Sequence, residues 1–173
     1  MKADVSAIIK VTGASIKLDD FVELDKAVFL GETYRFLKPL KIVGEIYNNG
    51  QTLSLKANVT GSMHTECSRC LKDIEVDVDF DIDELLARIE EGEEPDEDII
   101  PFEGYEVDID SIVADSFRLN IMGSYLCDED CKGLCLTCGK DLNEGPCDCV
   151  DDYIDPRWQA LADILKKQQE DDS

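Results

Sequence analysis

The sequence predicts an α+β protein: a β-rich antiparallel body, barrel-like or a curved sheet, with two helices and a C-terminal tail stapled through its cysteines. Three observations carry that expectation. Residues 73–83 alternate acidic and apolar side chains without a miss, the period of a half-buried strand with one anionic face. Asn48-Asn49-Gly50 stands between two β-prone runs, where Asn-Gly supplies the backbone of a tight hairpin turn. Six of the eight cysteines crowd between Cys127 and Cys149.

The body is expected over residues 1–126 and the tail over 127–173. Residues 5–11 suit a first strand, and 40–47 with 52–65 read as a long hairpin around the Asn-Gly turn. The alternating strand of 73–83 follows. Residues 90–101 are expected to form an acidic loop, because the run Glu-Glu-Gly-Glu-Glu-Pro-Asp-Glu-Asp within it has no apolar anchor. A helix is expected at about 111–123, with Ile112, Val113, Ser116, Phe117 and Asn120 near one face and Asp108 or Asp110 as its cap. Asp155-Pro156 opens a second helix through Leu161, Ile164 and Leu165, with proline in the first turn where its missing N–H costs nothing.

The cysteines read as metal ligands. Cys67 and Cys70 form one Cys-x-x-Cys, Cys135 and Cys138 another, and Gly139 after the second eases the turn that brings both thiolates to one ion. The favoured grouping places Cys135, Cys138, Cys147 and Cys149 in one tetrahedral site and Cys67, Cys70, Cys127 and Cys131 in another. Spacing leaves the second grouping more open, since it joins distant segments. Thiolate sets with knuckle-like Cys-x-x-Cys-Gly suit zinc over an iron–sulfur cluster, so two structural zinc ions are expected. Disulfides are disfavoured because the N-terminus carries no apolar stretch of signal-peptide length, which makes a cytoplasmic location the expectation. A redox dithiol needs a Cys-x-x-Cys opening a helix beside a parallel strand, a setting neither pair shows. His64, the single histidine, lies three residues before Cys67 and reads as a strand residue rather than a ligand.

Net charge is −23, distributed as +2 over residues 1–72, −17 over 73–127 and −8 over 128–173. An acidic chain is ill suited to phosphate contact through bulk electrostatics, so any RNA contact is expected from the N-terminal part, with Lys38, Lys41, Lys56, Arg69 and Lys72 as candidates. The acidic middle would attract basic proteins. Carboxylates along one strand face lie about 7 Å apart, too far to converge unaided on a hard cation. Phosphate loops, nucleophile elbows and zinc-protease motifs are absent from the sequence, and thiolate sites filled by four cysteines leave no open metal position. An enzyme is not expected, nor is a membrane span or a small-molecule substrate.

Cys67-Ser-Arg-Cys70-Leu71, the acidic middle, the string from Leu126 to Asn143 with its Gly-Leu-Cys-x-x-Cys-Gly, and Asp155-Pro-Arg157 together resemble the YceD family of large ribosomal RNA subunit accumulation proteins, in a cysteine-rich long form. The resemblance covers nearly the whole chain. It implies a bacterial cytoplasmic protein needed for 23S ribosomal RNA synthesis or processing, with a 23S precursor, a large-subunit ribosomal protein, or both as partners. It transfers no catalytic residue. The expected function is a non-catalytic factor for large-subunit biogenesis. Zinc handling or chaperoning of a basic ribosomal protein is the alternative, and a magnesium-dependent rRNA-processing nuclease is the third reading.

Overall fold

The computed structural model describes residues 1–24, 26–29, 31–89, 98–121 and 123–149. Nine strands and one helix are found among them: β1 (Lys2–Asp4), β2 (Ser15–Val22), β3 (Lys26–Phe29), β4 (Glu32–Arg35), β5 (Leu40–Asn48), β6 (Leu53–Glu66), β7 (Asp73–Arg88), β8 (Ile99–Phe102), β9 (Glu106–Asp108) and α1 (Ile109–Asn120). The second expected helix, opened by Asp155-Pro156, lies outside the described residues. The chain divides into two compact units, the first Met1–Cys131 and the second starting at Lys132.

In the first unit an open sheet runs β2-β5-β6, with β7 on the far side of β6 and β8 beyond it; β4 joins β6 through Arg35 and His64 and carries β3. The sheet does not close, so the barrel-like alternative is corrected to an open sheet. All its pairings are antiparallel except one, β7 with β8. Residues 99–101 are expected inside the acidic loop; with Phe102, which is buried, they instead make that parallel pair, while residues 90–97 of the loop lie outside the described residues. β1 and β9 form a separate two-stranded sheet.

The long hairpin forms, with Gly50 at φ +100° and the Asn49 side chain accepting from the amides of Gln51 and Thr52. Residues 5–11 do not make a strand. They turn, with the amides of Ile8 and Ile9 bonded to the Val5 carbonyl, and the buried Asn48 amide donates to the carbonyls of Ile8 and Ile9, fixing the apolar run as a folded loop. β7 keeps the predicted alternation: Val78, Phe80 and Ile82 are buried, and Asp77, Asp79, Asp81 and Asp83 are exposed.

One sheet face is covered. Leu18, Ile42, Ile46, Leu55, Val59, Phe80 and Ile82 pack with Ile109, Ile112, Val113 and Phe117 of α1 in one apolar core. Phe117 lies at its aromatic centre, edge-on to Tyr34 at 5.9 Å and to Phe36 at 5.0 Å between ring centroids. Asp108 caps α1 by accepting from the Ser111 amide at 3.4 Å, and the helix ends at Asn120, a turn earlier than expected, where the Ile121 backbone leaves helical geometry.

Candidate metal centres

The tight turn between β6 and β7 carries Cys67 and Cys70. The Leu71 amide bonds back to the Cys67 carbonyl, and the Cys67 amide to the Lys72 carbonyl. This geometry places Leu71 at φ +59°, a left-handed conformation that a side chain like leucine's occupies only under constraint. The Cys135 turn repeats the same bonds, with the Gly139 amide to the Cys135 carbonyl, the Cys135 amide to the Lys140 carbonyl, and Gly139 at φ +73° where Leu71 stands in the first. Two turns of one design therefore present two pairs of thiols.

Cys67 and Cys70 are joined by Cys127 and Cys131, all within the first unit. Cys67, Cys70 and Cys131 are buried and Cys127 is exposed. Sγ of Cys67 lies 3.9 Å from that of Cys131, and Sγ of Cys70 lies 3.5 Å from that of Cys127. A tetrahedron with metal–sulfur bonds of about 2.3 Å has edges of about 3.8 Å, so these separations suit four thiolates around one ion. They are far longer than the roughly 2.05 Å of a disulfide, and all eight cysteines are free. Ser68 and Tyr125 lace the two segments, the Ser68 amide donating to the Tyr125 carbonyl and the Tyr125 amide to the Ser68 hydroxyl. Arg69 completes the tie: its guanidinium donates to the carbonyls of Cys131 at 2.8 Å and Glu129 at 3.2 Å.

In the second unit Cys135, Cys138, Cys147 and Cys149 meet in the same way, with all four sulfurs within 4.8 Å of one another. Among the described residues, hydrogen bonds rather than an apolar core organise the segment. Asp141 pairs with Leu134 as an isolated bridge, Asn143 accepts from the Lys132 amide, and the Lys140 ammonium donates to the Pro146 carbonyl.

The electrostatics of both groups suit a bound cation. Burial pushes the Cys67 thiol up, but the backbone amides of Cys70, Cys127 and Arg69 donate to its sulfur and bring it down to about 6. The thiols of Cys131 and Cys70, with burial, push Cys127 up to about 12. Likewise the amides of Cys138 and Thr137 draw Cys135 down to about 6, while Cys138, burial and Cys135 push Cys149 up to about 12. Each cluster thus sheds a first proton easily and resists losing the last, because each new thiolate faces its neighbours' charge. A divalent cation at the centre removes that conflict, and the all-sulfur donor set selects a thiophilic one.

His64 is not part of either group; its Nδ1 lies 3.1 Å from the Asp73 carboxylate, which Arg35 also engages. The five basic candidates are dispersed. Lys41 pairs with Asp19 at 3.1 Å and Lys56 with Asp83 at 3.0 Å, Arg69 is engaged as above, and Lys38 and Lys72 are exposed. The sequence offers Arg69 as a candidate for RNA contact and carries no signal, in spacing or otherwise, for its grip on the facing backbone.

A model described as the large ribosomal RNA subunit accumulation protein YceD matches residues 55–165, a span that holds all eight cysteines. YlbN of Bacillus subtilis is 26% identical over 98% of this chain and 99% of its own. The chloroplast protein of Arabidopsis thaliana named large ribosomal RNA subunit accumulation protein YCED homolog 1 is 36% identical over 40% of this chain, a stretch that makes up 22% of that protein. A Mycobacterium tuberculosis protein is 33% identical over 58% of this chain and 49% of its own. No solved structure matches. With the family's description matched over most of the chain, the protein belongs to the YceD family of large ribosomal RNA subunit accumulation proteins.

Proposed function

We propose that the protein is a non-catalytic factor supporting accumulation of 23S ribosomal RNA in the large subunit, and that its two cysteine groups hold structural zinc. Family membership carries the first part, together with the Arabidopsis relative whose name describes the same accumulation role. The second part rests on two four-thiol groups, each with its sulfurs within 4.8 Å of one another, whose ligands would saturate the ion and leave no position for a reacting water. The nuclease reading is weaker, because the exposed carboxylates of β7 stand in a row along one strand rather than around a point, and Asp79 and Asp81 accept from the Asn58 amide. Elemental analysis of the purified protein should find two zinc ions per chain, one for each group. Depletion of the protein should lower mature 23S rRNA and raise its precursors. Normal ribosome profiles and precursor levels after depletion would overturn the assembly role.

A further inference from the structure

β7 is paired with β6 from Asp73 to Leu86, but β8 reaches it only from Leu85 onward. Among the described residues, no strand pairs with the other edge of β7 over residues 73–84. In an antiparallel pair every second residue turns its N–H and C=O away from the partner, so this edge offers a row of backbone donors and acceptors. A cleft of about 350 Å³ adjoins the strand here, lined by the consecutive residues Val76 to Phe80 together with Phe117, Asn120 and Ile121 at the end of α1 and Tyr125. Consecutive residues share a cleft only where it runs along the strand's edge. Its floor is apolar, with Met63, Val76, Val78 and Phe80.

The outer face of the same edge is anionic. Lys56 neutralises Asp83, and Arg35 neutralises Asp73, whose carboxylate also lies 3.1 Å from Nδ1 of His64. Between those ends, Glu75, Asp77, Asp79 and Asp81 form no ion pair among the described residues. Across from them on β6 stand His64, Ser62, Thr60 and Asn58. A second copy pairing through this edge would set acids against acids, and a nucleic acid would meet the least favourable charge on the sheet.

We propose that the free edge of β7 is a docking site for an extended, basic segment of a partner protein. The segment adds a strand beside β7, its alternate apolar side chains enter the cleft toward Val78, Phe80 and Phe117, and its alternate lysines or arginines meet Asp77, Asp79 and Asp81. Backbone pairing supplies affinity, and the alternation supplies specificity. The proposal deepens the assembly role by naming a kind of partner and rests on that role for its biological meaning. Its test is binding alone, so it fails or stands separately from any effect of depletion on 23S rRNA.

The probe is a peptide of about ten residues alternating lysine and valine, matched to a strand's length, and the full-length zinc-loaded protein is titrated against it by fluorescence anisotropy. Binding is expected, weaker at higher salt, with slowed hydrogen exchange at alternate amides of residues 73–84. N-methylation of alternate peptide amides keeps the charge and removes the strand's donors; it should cost roughly tenfold or more in affinity, since each lost backbone bond is worth about 1 kcal/mol. The triple variant D77N/D79N/D81N, checked for an unchanged circular dichroism spectrum, should weaken binding comparably. Equal affinity for the N-methylated peptide, protection elsewhere on the protein, absence of peptide binding at low salt, or tighter binding of a 23S rRNA fragment to this edge would each overturn the proposal.

Discussion

Leu71 and Arg69 show how much the first metal centre asks of single residues. The turn that aims Cys67 and Cys70 at one point needs a left-handed residue, and the second centre puts glycine there while the first has leucine, 59% exposed. Left-handed backbone costs a residue with a Cβ about 1–2 kcal/mol, and the exposed side chain loses little packing on removal. Leu71→Gly should therefore stabilise the first unit by up to about 1 kcal/mol after the extra chain entropy of glycine is subtracted, read as a higher urea midpoint. A lower midpoint would mean that the Leu71 side chain contributes packing that its exposure conceals. Arg69 holds the facing segment by two hydrogen bonds to carbonyls. Arg69→Met keeps the apolar stem and removes the donors, so hydrogen exchange over residues 127–131 should quicken by about tenfold, given about 0.5–1.5 kcal/mol for each bond lost. Unchanged exchange there would show that the thiolates alone hold the turn.

At the scale of elements, the close approach of β5 and β6 sets the sheet. A Cβ at Gly44 would lie 2.2 Å from the Lys56 carbonyl oxygen and 2.5 Å from the Ala57 Cα, both backbone atoms that cannot swing aside. Gly44→Ala should destabilise the protein by about 1–3 kcal/mol through forced separation of the strands, measured as a lower thermal midpoint; a neutral result would mean that the two strands slide apart at little cost. The elements most legible in the sequence are those with a long, unbroken period. β7 alternates for eleven residues before the pattern fades, and Ile112, Val113, Ser116 and Phe117 mark the buried side of α1. β2 was missed because Asp19-Asp20 interrupts its alternation, and β3 and β4 because four residues hold too little pattern to read. Residues 5–11 misled for the opposite reason: their apolar content suits a strand, but the contact that decides their shape comes from Asn48, about forty residues away, which no local pattern reveals.

Over the whole molecule, the two metal centres sit in different kinds of structure. The first lies in a unit with a continuous apolar core, its Cys-x-x-Cys in the turn between two long paired strands. Among the described residues of the second, the bridge of Leu134 with Asp141 is the one piece of strand pairing, and no residue of the apolar core belongs to it. The grouping of the thiols could be anticipated because the Cys-x-x-Cys spacing and the short distance from Cys135 to Cys149 are local. That Cys127 and Cys131 belong to the first compact unit could not be read with the same force, since it depends on Tyr125 and Arg69 bringing distant segments together. A consequence for stability follows from the contrast. Metal binding at a structural thiolate site is worth on the order of 10 kcal/mol of folding free energy, and a segment without a core has little else to draw on. Removing metal with a strong chelator under reducing conditions should leave the amides of β5, β6 and the paired stretch of β7 protected from hydrogen exchange, while residues 132–149 exchange as an unfolded chain. Cys138→Ser should produce the same local loss without a chelator and open new protease cleavage within residues 132–149. Persistent protection of that segment without metal, or collapse of the sheet along with it, would show that the two units do not divide their stability in this way.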